Sequence, residues 1–285
     1  MRDVAEGVRA ARLFAVLMTI EGLAPIFAPI AGGYLDTHFG WRVVLWASAA
    51  MGAAALANSY FALGETLPKD QRIPLQPVIT LKTYKRILLD RAFLLPVLGL
   101  SGMFFFLFAY ISGGPYLYQK VFGLSSDLFG IVFGITGVSV MLGAIISSRL
   151  VKTRKVVDVA LVGLVLVLCG TAAAAVAAHI FGLYGLIPCF MLTMFGLGIA
   201  EPTLISLTMA SQKTALGFTA ALMGCLHLSL ASLSTPISGY LMPLGTGYWF
   251  IFLIASAALT LAITLAARAD LRKGSVQETS GLAAV

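Results

Sequence analysis

The chain has 285 residues, of which 59% are hydrophobic and 11% charged, against about 25% charge in an ordinary soluble domain. So little polar surface excludes a water-soluble fold of this size and leaves the bilayer as the solvent. The net charge of +7 does not indicate nucleic acid, because the basic residues sit in short loops between apolar runs and leave no soluble basic face.

Inside hydrocarbon the backbone must satisfy itself, as helices or as a closed barrel. Barrel strands would alternate apolar and polar residues over about ten positions. Here the apolar runs last about twenty residues, so the reading is all-α: a polytopic membrane helix bundle of about eight transmembrane helices. The runs cover 12–34, 41–63, 92–113, 126–148, 157–179, 182–209, 215–241 and 246–267. The first twelve residues are charged and the run after them is too long for the apolar core of a signal peptide, so none is expected.

The first run carries Glu21 well inside it, then Pro25, Pro29, Gly32 and Gly33. Each proline removes an amide hydrogen from the helical ladder, and the two lie four apart, on one face. With the glycines they predict a bent helix able to approach a neighbour closely. The stretch 64–91 holds Pro68, Pro74 and Pro77 with many charges and is the candidate linker. In the fourth run Gly130, Gly134 and Gly137 share one face and make the natural partner for Ala28, Gly32 or Gly33. The fifth and eighth runs are almost wholly apolar, as helices facing lipid or core are. The sixth places Glu201 beside Pro202, which frees a carbonyl one turn earlier, as in broken helices that line cavities. The seventh carries His227 and a small-residue face of Gly217, Ala221 and Gly224. Glu21, Glu201 and His227 each lie roughly 12–18 Å deep, counting ~1.5 Å per residue. An ionised residue at that depth is costly and normally faces protein or water. Cys169, Cys189 and Cys225 fall in apolar runs without Cys-x-x-Cys spacing, so no metal site or redox pair is expected.

The charges orient the chain. Alternate loops hold 17 basic residues: Arg2, Arg9 and Arg12, six from Lys69 to Arg91, four from Arg149 to Lys155, Lys213, and three from Arg268 to Lys273. The opposite loops hold 2, Arg42 and Lys120. This split predicts that both termini are cytoplasmic. Trp41, Tyr116, Tyr118, Tyr184, Tyr248 and Trp249 sit near the other ends of the runs, where interfacial aromatics are expected.

The first run, with Ala28-Pro29-Ile30-Ala31-Gly32-Gly33, resembles the antiporter motif in the fifth helix of major facilitator superfamily transporters. Arg2-Asp3 resembles the pair that follows their fourth helix, and Glu65-Thr66-Leu67-Pro68 the stretch after their sixth. The run from Phe108 to Pro115, then Val121-Phe122-Gly123-Leu124-Ser125, resembles the seventh and eighth helices of the Bcr/CflA drug-resistance branch. The resemblance covers nearly the whole chain. It implies helices five to twelve of a twelve-helix fold, without the first four. Residues 1–63 would be the remnant of the N-terminal bundle, 64–91 a cytoplasmic linker between bundles, 92–270 the six-helix C-terminal bundle and 271–285 a cytoplasmic tail.

By the same resemblance the function is efflux of small amphipathic drug-like molecules across a bacterial inner membrane by proton antiport. The alternative is a truncated, non-transporting remnant. In the resembled fold the eleventh helix packs on the second. The Gly217 face, on the match for the eleventh, is therefore expected to be open, and the chain alone not to pump. The substrate or proton cavity would hold Glu201, His227, Tyr110 and Glu21. The partners implied are lipid, a small-molecule substrate and protons, with no cofactor and no metal. An enzyme is not indicated: the chain has no His-Glu-x-x-His and no Gly-x-Ser-x-Gly.

Overall fold

The computed structural model describes residues 27–62, 77–212 and 216–282, and every regular element among them is helical. In chain order they are α1 (27–39), α2 (Trp41–Ala62), α3 (Pro77–Leu89), α4 (Arg91–Pro115) with a π-helical turn at Tyr116–Val121, α5 (Ser126–Leu150), α6 (Val156–Ala210), α7 (Leu216–Ser232), α8 (Ser234–Leu244) and α9 (Thr246–Leu282). The chain divides into two compact units, Met1–Gln76 with Leu124–Gly137, and Pro77–Gly123 with Val138–Val285.

Six of the described stretches are long and apolar enough to cross a membrane, one of them the 55-residue α6. A straight helix of that length would be about 80 Å long at 1.5 Å per residue, far beyond the ~30 Å hydrocarbon core. The chain therefore reverses within α6, at Gly182 (φ 57°, ψ −138°). That conformation is the first central position of a type II′ turn, which favours glycine. The two limbs, 156–181 and 183–210, are two crossings, as the separate runs 157–179 and 182–209 anticipate. Positive-φ glycines also stand at Gly40, Gly123 and Gly245. Each marks a junction between consecutive crossings on the charge-poor side of the chain.

One expected helix is longer than its run and another is broken. Pro115 cannot donate to the carbonyl four residues back, and the ladder slips by one residue into the π turn, where the Phe122 N–H donates to Leu117 O (3.1 Å). The third crossing thus runs on from the expected end at 113 to Val121. The run 215–241 breaks between α7 and α8 at Leu233, just before Pro236, whose missing N–H interrupts the next turn. The charged stretch 64–91 ends in a helix, α3, followed by Asp90 as the cap of α4: its Oδ1 accepts from the Ala92 N–H at 2.9 Å.

In the first unit α1 meets the start of α5 through glycine. A Cβ on Gly130 would strike Pro29 O, and one on Gly33 would strike Ser126 O. Gly134 and Gly137 are buried further along that helix. Ala28 is exposed and nothing lies within 4 Å of a Cβ on Gly32, so Pro29 and Gly33 form the contact face.

The second unit is built around α4, which packs against α6, α7, α8 and α9. Its glycines accept polar side chains of α9: Gly99 lies against Thr264, Gly102 against Thr260 and Gly113 against Trp249. Numbers rise on one helix as they fall on the other, so the two are antiparallel. The threonine hydroxyls donate to their own helix, Thr260 to Ser256 O at 2.8 Å and Thr264 to Thr260 O at 2.9 Å, and so bring no unpaired group into the contact. Trp249 is wholly buried; its Nε1–H donates to Ser238 Oγ (2.8 Å) and Ala109 O (3.3 Å), and Ser238 donates to Ala109 O (2.9 Å). One indole and one hydroxyl thus join α4, α8 and α9. The limbs of α6 pair antiparallel through Gly163 on Gly196 and Gly170 on Thr193. Gly143 of α5 meets Phe195 O, and Gly198 of α6 meets Val140 O. Ser147 then donates to Ile199 O across the same contact at 3.0 Å.

These contacts separate two costs of adding a methyl group. Gly113→Ala should lower stability by about 1–3 kcal/mol, because its Cβ enters the buried Trp249 ring. Gly239→Ala, where nothing lies within 4 Å, should be neutral or stabilising by up to about 1 kcal/mol. Gly182→Ala meets only Phe122, at 3.9 Å, yet should still cost about 1–3 kcal/mol, through backbone strain alone. Thermal unfolding of the three variants in one detergent checks all of this; equal midpoints for Gly113→Ala and Gly239→Ala would refute the packing account.

Candidate functional site

The ionisable residues deep in the apolar runs are the starting point. Glu201 lies on the second limb of α6, nine residues before its end at Ala210. It is half-buried, while Pro202 beside it is exposed. Pro202 withdraws one donor from the ladder, and hydroxyls supply others nearby. Thr203 donates to Ala200 O (2.6 Å) and Ile199 O (3.2 Å), and Ser147 also donates to Ile199 O. The helix around Glu201 is therefore held by side chains of α5 and α6 as well as by its own ladder, as broken helices in membranes require.

His227 is carried by α7 and is half-buried. Its Nδ1 lies 2.7 Å from Met223 O. A carbonyl only accepts, so Nδ1 carries the hydrogen, and in the neutral ring the acceptor is Nε2. The imidazole sits 4.6 Å from the ring of Phe104 on α4. Phe104 also meets Phe108 at 6.5 Å, one turn on. The junction of α4 and α7 thus presents a proton acceptor against an aromatic wall, a surface suited to flat, apolar, cationic molecules.

Tyr110 is placed differently. It is 1% exposed, and its ring packs on Phe190 at 4.9 Å, in a cluster that continues to Trp249 and Phe250. Its phenol lies beside that of Tyr118. Tyr118 is 0% exposed, inside the π turn rather than at the interface. The slip of the ladder after Pro115 turns this second phenol inward, and sequence reading misses it because a regular helix would not. Trp249 is likewise in the core, whereas Tyr184 and Tyr248 are exposed at 90% and 60%.

Glu21 and Pro25 lie outside the described residues. Among the described residues nothing lies within 4 Å of a Cβ on Gly217 or Gly224, and Ala221 is exposed, so no described residue packs closely on that face of α7. Cys169 and Cys225 are exposed and Cys189 partly so; all three are free. Among the described residues no three His, Cys, Asp or Glu side chains come close enough to hold a metal ion. Sequence reasoning also missed Gly143, Gly163, Gly196 and Gly198, although the pairing of small residues on the fourth, fifth and sixth runs was there to be found.

Known proteins resemble this chain in sequence and in fold. The chain is 30% identical over 245 residues to the MFS-type transporter YdgK of Bacillus subtilis, covering 84% of this chain and 60% of that protein. It is 28% identical over 151 residues to the bicyclomycin resistance protein homolog of Haemophilus influenzae, covering 53% and 38%. To the multidrug resistance protein MdtM of Escherichia coli K12 it is 26% identical over 266 residues, covering 90% and 62%. The chain thus spans less than two thirds of the length of these relatives. A crystal structure of a bacterial homologue of the iron transporter ferroportin, in an inward-facing state, superposes with a TM-score of 0.62 at 14% identity, covering 93% of this chain and 65% of that one. The likeness of fold extends over nearly all of the helices, and the sequence profile of the Major Facilitator Superfamily matches residues 1–236. This multi-pass membrane protein belongs to the Major Facilitator Superfamily.

Proposed function

We propose that the chain serves efflux of small amphipathic, drug-like molecules across a bacterial inner membrane, coupled to inward proton movement. The observation that carries this reading is His227 with its proton-accepting Nε2, held against Phe104 at the junction of α4 and α7. Glu201 on the Pro202-interrupted helix is the second proton-binding candidate. The names of the relatives support the substrate class: bicyclomycin resistance and multidrug resistance. Both termini are assigned to the cytoplasm on the 17-to-2 distribution of basic residues. In this assignment 1–63 contributes two helices, 64–91 is the cytoplasmic link, 92–270 is a six-helix bundle and 271–285 a tail.

One observation favours a second reading, that this chain does not transport by itself. Alternating access rocks two bundles about a shared site. The Gly217, Ala221 and Gly224 face is shaped for close helix contact and has no close partner among the described residues. A bundle face without a partner cannot take part in that rocking.

Proteoliposomes containing the purified 285-residue chain, with an imposed proton gradient and ethidium as the probe, distinguish the two. Gradient-dependent ethidium movement above that of empty vesicles supports efflux; its absence from correctly inserted, helical protein supports the second reading. Where transport is present, Glu201→Gln should lower it by at least about tenfold at unchanged expression, since an amide cannot exchange the proton. Unaltered transport in that variant would leave Glu201 a packing residue.

A further inference from the structure

Away from His227 and Glu201, the first limb of α6 and the last turns of the crossing part of α9 frame a cavity of about 370 Å³, lined by Asp158, Leu161, Val162, Val165, Leu166 and Arg268. Asp158 is the third residue of α6, and Arg268 lies three residues before Leu271, where the crossing part of α9 ends. Both stand at the membrane–water boundary, where lipid headgroups are found. Arg268 Nη2 meets Asp158 Oδ1 at 2.7 Å, with both side chains 33% exposed.

An ion pair alone would link α6 to α9 and would need no groove. Two features are left over. Arg268 Nε–H and Asp158 Oδ1 are both buried without a well-formed hydrogen bond, although the two side chains form an ion pair, so each keeps hydrogen-bonding capacity that the other does not use. The wall below the pair is apolar and opens sideways, with Val162 51% and Val165 44% exposed. A polar head over an apolar, laterally open slot has the shape of a lipid.

We propose that this groove binds one phosphatidylethanolamine molecule, its phosphate on Arg268, its ammonium on Asp158 and an acyl chain along Val162, Val165 and Leu166. Charge complementarity selects the headgroup. The pair is neutral as a whole and offers one cation and one anion. Phosphatidylglycerol brings a phosphate but no cation for Asp158. Phosphatidylcholine brings a cation that has no N–H to donate to the carboxylate. The ethanolamine headgroup has both, on a short tether. The bound lipid would brace α6 against α9 at the one level where their contact is polar.

Native mass spectrometry of the purified chain in an equimolar mixture of the three lipids tests the assignment. The expected result is one retained phosphatidylethanolamine, favoured at least about tenfold over the other two, the effect of one charge-assisted hydrogen bond. Arg268→Gln should reduce that adduct to background. Arg268→Lys, which keeps the charge but loses Nε, should weaken it, and covers the case in which the glutamine variant does not fold. Val162→Phe should also abolish it, by filling the slot while leaving the ion pair intact. Circular dichroism and thermal unfolding establish that each variant is folded. Equal retention of the three lipids would overturn the proposal. So would an undiminished phosphatidylethanolamine adduct in folded Arg268→Gln or Val162→Phe.

Discussion

Helices in hydrocarbon gain nothing by expelling water from between them, so they hold together only where backbones come close enough for dispersion and short polar contacts. In this chain that closeness depends on glycine. Gly99, Gly102 and Gly113 let α9 lie on α4; Gly143 and Gly198 join α5 to α6; Gly163 and Gly196 close the two limbs of α6. A methyl group at most of these points meets a backbone carbonyl or an indole ring, which have nowhere to go. The arrangement at the candidate site follows from this packing. Phe104 and Tyr110 are both borne by α4, and which face of α4 is left for α7 is decided by the face that α9 has taken.

The second constraint is that no carbonyl or amide inside the membrane can be left without a partner. The prolines test it, and each is answered differently. After Pro115 the ladder slips into a π turn that extends the crossing to Val121. Before Pro236 the helix breaks, and α8 is fastened to α4 by Ser238 on Ala109 O and Ser112 on Thr235 O. Pro202 deprives the Gly198 carbonyl of its donor, and the hydroxyls of Ser147 and Thr203 add donors to the neighbouring carbonyls of Ile199 and Ala200. Two of these three departures lie beside residues of the candidate site, Tyr118 and Glu201. Departures from the regular ladder are what turn a polar group inward in a helix that would otherwise show lipid only apolar side chains.

The outer surface completes the physical picture. α2 has no buried residue, and Trp46, Met51, Leu56, Tyr60 and Phe61 are all more than 70% exposed. Ile180, Phe181 and Ile251 of the second unit are exposed at 65% each. In water such a surface would aggregate; in lipid it is the ordinary condition of a crossing helix. On α6 and α9 the ion pair of Asp158 and Arg268 marks the end of the apolar surface of the second unit.

Composition and the length of the apolar runs were enough to determine the solvent, the all-helical class and the places where the chain turns. Those depend on transfer free energy summed over some twenty residues, which a local reading can total. The reversal at Gly182 and the contact of Gly33 with α5 were legible for a related reason, since a turn signal and a small-residue face are both local patterns. Only the tertiary structure decided that Pro29 and Gly33, not Ala28 and Gly32, make that contact. It alone placed Trp249 and Tyr118 in the core and Tyr184 at the surface, and gave Asp158 its partner 110 positions along the chain. A membrane helix is apolar on every face, so its sequence carries no amphipathic stripe to say which side looks inward. That choice is made by whichever neighbour fits closest, and fit is a property of two helices at once.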